Sequence, residues 1–173
     1  MIRSALFLVL SAFVVLPAVR AQTPAAGQPA AAPACLPAAT VEQLPKALDD
    51  AISGPGDKDR ACLRQLMSAD VRLVLVSPSA PPRLLTLDDW IAAMARRGSV
   101  AMFEHQVKTR TETFSHIAHL WSTYEIRTTA DGAATSRGIN SVQAIFDGER
   151  WKVIAVLWQP ATATDPIPEK YLP

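Results

Sequence analysis

From Val100 to Gln159 apolar and polar residues alternate with a period of two, and this tract constrains the fold more than any other part of the chain. It predicts four long strands, over about 101–113, 116–129, 134–146 and 149–159. Asp131-Gly132 and Asp147-Gly148 separate the last three, and Asp-Gly between alternating runs is the strongest short-range hairpin signal. Upstream the period is helical. Val41, Leu44, Leu48 and Ile52 share one face, Thr40-Val41-Glu42-Gln43 has capping-box form, and Pro45 belongs only in a first turn. After Gly54-Pro55-Gly56, Asp57 caps a second helix striped by Cys62, Leu63, Leu66 and Met67. A short strand over 71–76 and a loop holding Pro78, Pro81 and Pro82 follow. Thr86 caps a third helix with Leu87, Trp90, Ile91 and Met94 on its stripe, closed by Arg96, Arg97 and Gly98. Helices, a strand, a helix and then a four-strand meander predict an α+β domain, and 173 residues suffice for one core rather than two.

Seventeen basic against sixteen acidic side chains give a net charge of +1, which argues against a nucleic-acid or polybasic membrane binder. The N-terminus reads as a secretory signal over 1–21: Arg3, an apolar run over 6–16 and a small residue, Ala21, at the cleavage position. That run is too short for a stable membrane span, so a periplasmic or secreted protein without membrane insertion after cleavage is expected, the alternative being an uncleaved N-terminal anchor. Residues 22–37 carry no charge and are mostly Ala and Pro, as in an exposed linker; the domain then occupies 38–173. In an oxidising compartment Cys35 and Cys62 form a disulfide, or else they are unrelated thiols with Cys62 packed on an apolar face. Two cysteines without further ligands at suitable spacing make no metal site.

Three runs carry a family resemblance: His119-Leu120-Trp121-Ser122-Thr123-Tyr124-Glu125, Arg137-Gly138-Ile139-Asn140-Ser141-Val142-Gln143 and Asp147-Gly148-Glu149-Arg150-Trp151. They resemble the nuclear-transport-factor-2-like (NTF2-like) superfamily, and most nearly its bacterial SnoaL-like and DUF4440-like members. The resemblance covers roughly residues 40–173. It implies a cone-shaped fold in which a curved antiparallel sheet wraps helices and leaves a pocket, often with dimerisation through the outer sheet face. Ketosteroid isomerases, polyketide cyclases, dehydratases and pure binding domains share this fold, so it does not fix an activity.

Two-residue type I′ turns at both Asp-Gly pairs set Glu125 opposite Gly138, Thr123 opposite Asn140 and Trp121 opposite Val142. One face then holds His119, Trp121, Thr123, Glu125, Gly138, Asn140, Val142, Trp151, Val153, Ala155 and Leu157 and is expected to be the inner one. Phe103, His105 and Val107 join it, with Glu104, Lys108, Arg110 and Glu112 outward, because the opposite choice buries a row of charges. Trp90 roofs the pocket so formed, and Phe103, His119, Trp121 and Thr123 line it beside His105, Glu125 and Asn140. His105 and Glu125 are the candidate catalytic pair, a general base with its orienting partner, and Asn140 polarises a carbonyl. Alternatively the pair neutralises itself inside the core. Leu120, Tyr124, Ile139, Ile154, Val156 and Trp158 make an apolar outer patch suited to a homodimer. His116 and His119 face opposite sides, so no metal is implied, and no motif implies a cofactor. Three functions follow: a binding module for a small apolar molecule, a cofactor-independent isomerase, cyclase or dehydratase using His105 and Glu125, and a structural dimerisation domain.

Overall fold

A computed structural model describes residues 34–173. The predicted signal, 1–21, and all but the last four residues of the Ala/Pro-rich segment lie outside the described residues. One turn of 3-10 helix, Val41–Gln43, leads into α1, Leu44–Ile52, with Pro45 in its first turn. Gln43 Oε1 accepts the backbone N–H groups of Ala39 and Thr40 at 2.9 and 3.2 Å, tying down the approach to the helix. The other end of α1 is held by Arg60, which is only 4% exposed. Its Nη1 donates to the carbonyls of Ala51 (3.0 Å) and Ile52 (2.5 Å), and its Nη2 to Pro55 (2.9 Å). A guanidinium at a helix C-terminus meets both the orphan carbonyls and the negative end of the dipole, which explains how this cation is buried without an acid. A disulfide joins Cys35, ahead of α1, to Cys62 in α2, Ala61–Leu66. In α3, Leu87–Ala95, Thr86 and Asp89 form the reciprocal cap: Asp89 N–H to Thr86 Oγ1 at 3.1 Å and Thr86 N–H to Asp89 Oδ2 at 3.0 Å.

Seven strands form the sheet: β1 (Gly54–Pro55), β2 (Met67–Ser77), β3 (Ala80–Leu85), β4 (Ala101–Phe114), β5 (Ile117–Arg127), β6 (Ser136–Phe146) and β7 (Trp151–Pro160). Their order is β1-β4-β5-β6-β7-β2-β3. The expected four-strand meander is present as β4 to β7. The sheet is mixed, however, because β2 runs parallel to β7, and the predicted proline loop contributes an edge strand, β3. Pro81 and Pro82 sit in that strand, where a missing N–H does no harm on an edge. At the opposite margin β1 pairs only with Ala101 and Met102 of β4. Beyond it, side chains of α1 and of its C-cap continue the ladder: Glu104 N–H donates to Ser53 Oγ (2.9 Å) and Gln106 N–H to Asp49 Oδ2 (2.9 Å). The core lies between the helices and one sheet face, with Leu44, Ala47, Leu48 and Leu63 buried against Leu120, Val142, Ala144 and Val153.

The register departs from the two-residue turns expected at both Asp-Gly pairs. Gly132 does not have the positive φ that a type I′ turn requires; its N–H closes a turn onto the Thr129 carbonyl at 3.1 Å. Pairing stops at Ile126 opposite Ser136, so Tyr124 faces Gly138 and Ser122 faces Asn140. This one-place shift turns β5 over: Ala118, Leu120, Ser122, Tyr124 and Ile126 look inward, and His119, Trp121, Thr123 and Glu125 look outward. His105 still pairs with Glu125, so β4 turns over with β5 and carries Glu104 and Gln106 inward. Two bulges then correct the faces. Gln106 pairs with Tyr124 but Lys108 with Thr123, making Val107 an extra residue that returns Lys108, Arg110 and Glu112 to the outside. Ile154 is likewise extra in β7, and beyond it Val156 and Trp158 point inward in place of Ala155 and Leu157. The outer patch read from the sequence is thereby divided, since Leu120, Tyr124, Val156 and Trp158 belong to the inner face. Over the outer face passes the C-terminal segment: Thr123 Oγ1 donates to the Tyr171 carbonyl (2.6 Å), and the Tyr171 and Trp121 rings lie 5.8 Å apart.

Breaking the Cys35–Cys62 link is expected to destabilise the domain by about 3–4 kcal/mol, the chain-entropy value for a loop of this size. Urea unfolding of a Cys62→Ser variant against the oxidised parent measures it.

Candidate functional site

The helices do not fill the concave face. A cavity of about 350 Å³ remains, walled by Leu48 and Ile52 of α1, Leu63 of α2, Leu87, Trp90 and Met94 of α3, and Leu120, Val142, Val156 and Trp158 of the sheet. Room exists because the inner-facing positions at this end of β5 and β6 are small: Ser122, Gly138 and Asn140. Gly138 is required there. A Cβ at that position would stand 2.4 Å from both the Gln159 carbonyl oxygen and Tyr124 Oη. The Tyr124 ring therefore lies across the β6 backbone, which leaves the residue 4% exposed.

One polar row crosses the cavity's sheet wall: Glu104 and Gln106 from β4, Ser122 and Tyr124 from β5, Asn140 from β6. Glu104 Oε1 accepts from Asn140 Nδ2 (3.0 Å) and Gln106 Nε2 (2.8 Å). Gln106 Oε1 in turn accepts from Ser122 Oγ and, at 3.4 Å, from Asn140 Nδ2. Ser122 Oγ also meets Thr109 Oγ1 at 2.9 Å. Glu104 Oε2 takes no hydrogen bond from any described residue, and it is not among the buried unpartnered atoms. The backbone beneath is fixed as well, because Ser53 Oγ both accepts from Glu104 N–H and donates to its carbonyl (3.3 Å).

Burial dominates the electrostatics. It pushes the Glu104 carboxyl up to about 7, with the like charge of Asp49 adding to the rise and the Asn140 and Gln106 donors opposing it. Asp49 is pushed up to about 6, again by burial, against the Gln106 hydrogen bonds and the attraction of His105 and Lys46. Burial, followed by the Glu104 charge, raises the Tyr124 phenol, so it stays a protonated donor.

Of the residues singled out in the sequence, the structure brings Trp90 and Asn140 to the cavity. Phe103, His105, His119, Trp121, Thr123 and Glu125 belong to the other face. His105 and Glu125 are strand neighbours but form no catalytic pair. Glu125 is 5% exposed and clasped by Arg127 (2.7 Å) and by Arg137 (2.6 and 2.8 Å). The Arg127 hydrogen bond foremost, and Arg137 with it, hold its carboxyl below the usual range. His105 Nε2 is buried without a partner in a recess against α1. His119 Nε2 meets Ser141 Oγ at 3.0 Å on the outer face. Nor does Asn140 offer an N–H to a ligand carbonyl, as its Nδ2 is committed to Glu104 and Gln106. Sequence reasoning missed Glu104, Gln106, Ser122 and Tyr124. A signal was available: in β5 the even positions, Ala118, Leu120, Tyr124 and Ile126, are more apolar than His119, Thr123, Glu125 and Arg127.

Among solved structures the chain is similar to an NTF2-like protein of unknown function from Silicibacter pomeroyi. The TM-score is 0.52 at 15% identity, over 69% of this chain and 92% of that one. It is also similar to a protein of unknown function with a cystatin-like fold from Nostoc punctiforme, with TM-score 0.56, 10% identity, and coverage of 71% and 90%. No family model and no curated protein matches the sequence. The chain thus has the NTF2-like fold, with strands and helices arranged as in that class. The finer likeness to SnoaL-like and DUF4440-like proteins draws no support from these matches.

A carboxyl whose folded-state pKa lies above its unfolded value stabilises the fold fully below the unfolded value, and that contribution is lost as pH rises through the folded one. Between pH 4.5 and 7, where Glu104 shifts, stability is therefore expected to fall by on the order of 3 kcal/mol from this group. A Glu104→Gln variant should flatten the profile in urea melts across that range. Gly138→Ala should destabilise by about 1–3 kcal/mol, since a carbonyl oxygen cannot give way as a side chain would.

Proposed function

We propose that the protein binds a small, mainly apolar molecule in the cavity beneath its sheet. The observation that carries this reading is an apolar-walled space of about 350 Å³ into which a single polar row projects. Native domains pack their interiors closely, and a hollow of this size with few polar groups is the ordinary form of a ligand site. A Val156→Phe variant should fill the space. An environment-sensitive apolar dye is expected to bind the parent and to lose at least tenfold in affinity for the variant, with the far-UV circular dichroism of the two unchanged. Equal binding would refute the reading.

A second reading has one observation in its favour. A carboxyl with its pKa near 7, next to a protonated phenol, suits proton transfer at neutral pH, so Glu104 and Tyr124 replace His105 and Glu125 as the acid/base candidates. This reading needs a Glu104→Gln variant that still binds ligand but has lost turnover. We also propose export of the chain to an oxidising compartment, supported by the 1–21 sequence pattern and by the Cys35–Cys62 bond. Pairing of two chains through the outer sheet face is a separate proposal, supported by the exposed Phe114 and Ile117 at the end of the β4–β5 hairpin.

A further inference from the structure

The cavity carries charge of one sign. Glu104 is a carboxylic acid, and no Lys, Arg or His lines the space with it. The cations of the neighbourhood lie outside the lining of this cavity. Lys46, Lys58 and His105 line a second recess on the α1 side, together with Asp49 and Asp50, and Glu104 borders that recess as well as the cavity. Lys58 Nζ there donates to the carbonyls of Asp50 (2.7 Å) and Ser53 (3.0 Å). Arg60 lies behind the Trp90 ring, 5.8 Å from its centre, with its guanidinium on backbone oxygens. The charge that acts on Glu104 is that of Asp49, which has the same sign.

Hydrogen-bonding capacity points the same way. Both amide groups of the polar row have donated: Asn140 Nδ2 to Glu104 and Gln106, and Gln106 Nε2 to Glu104. Ser122 has donated to Gln106. No described residue donates to Glu104 Oε2 or Asn140 Oδ1. With Glu104 ionised, a ligand entering this row meets open acceptors and, on the same cavity wall, only the hydroxyls of Tyr124 and Ser136. A carbonyl or carboxylate group finds little to bond there, whereas a charged N–H donor meets open acceptors at its position. A buried carboxylate without a counter-ion is also costly to ionise, and a cation delivered by the ligand removes that penalty.

Resting on the binding reading above, we infer that the ligand is an amine: an apolar body that packs between Trp90, Met94 and Trp158 and ends in one protonated amino group held by Glu104 Oε2 and Asn140 Oδ1. The aromatic walls suit this class, since indole and phenol faces attract cations.

The test compares two probes of equal shape, n-decylamine and n-decanol, by isothermal titration calorimetry of the full domain. At pH 8 decylamine is expected to bind at least tenfold more tightly. Its affinity should rise about tenfold from pH 6 to pH 8, as Glu104 loses the proton that competes with the ammonium. Decanol affinity should stay flat. At pH 6, titrations in buffers of different ionisation heat should show about one proton released per decylamine bound. The titratable and charged groups nearest Glu104 are Asp49, which burial also pushes up, Tyr124, His105, Lys46 and Lys58. Asp49→Asn therefore serves as a control that retains the rise in affinity, while Glu104→Gln abolishes it and keeps decanol binding. Equal affinity for the two probes, or a flat decylamine profile in the parent, overturns the amine assignment and leaves the binding reading standing. Failure of both probes to bind overturns both.

Discussion

A strand offers only every second side chain to its core, so the content of this cavity is decided by where the sheet gains or loses a residue. Three such places matter. The long connection after Ile126 inverts β5 relative to the expected register, the extra Val107 inverts the second half of β4, and the extra Ile154 inverts the second half of β7. Without the first, Tyr124 and Ser122 would face away from the helices. Without the second, Lys108, Arg110 and Glu112 would enter the core with Glu104. Without the third, Trp158 would leave the cavity wall and Ala155 and Leu157 would replace the Val156–Trp158 pair. Bulges are commonly found where a side chain has to be re-aimed, and here they admit one acidic residue while excluding its charged neighbours.

The same three places explain what the sequence made legible. Periods of 3.6 and of 2 were enough for α1, α3 and the four long strands, and Thr40 and Thr86 marked where helices begin, whereas α2 starts at Ala61 rather than at the expected Asp57 cap and Met67 belongs to β2. The inward series of β6, Gly138, Asn140 and Val142, was also readable, because no irregularity separates it from the pattern. The faces of β4 and β5 were not. They depended on a turn type inferred from two letters, Asp131-Gly132, and the residues around it adopted a longer connection. Tertiary packing outweighed local turn preference: the register that forms turns Leu120, Tyr124 and Ile126 toward the helices, and the expected one would have turned Glu125 and His119 there. Most charges of β4 do stay outside, but Glu104 precedes the bulge at Val107 and so remains on the inner face.

That exception is expensive. A carboxyl raised to about 7 by its surroundings works against folding whenever it ionises, and Asp49 across the α1 interface compounds this. The arrangement persists because Asn140, Gln106 and Ser53 hold the side chain and its backbone from three directions. Glu125 is the contrasting case on the outer face: the same kind of group, but neutralised by two arginines. One protein thus contains a carboxylate paired with two arginines and another held only by neutral amides, and their opposite pKa shifts follow those partners and the burial of Glu104.

The treatment of the sheet's two margins has a consequence for how this chain behaves in company. At one side Ser53 and Asp49 occupy the donors of β4 past the short β1; at the other, β3 presents two prolines. Neither the first half of β4 nor β3 therefore offers an uninterrupted row of free amides, which denies crowded copies a template for stacking strand upon strand at those two places.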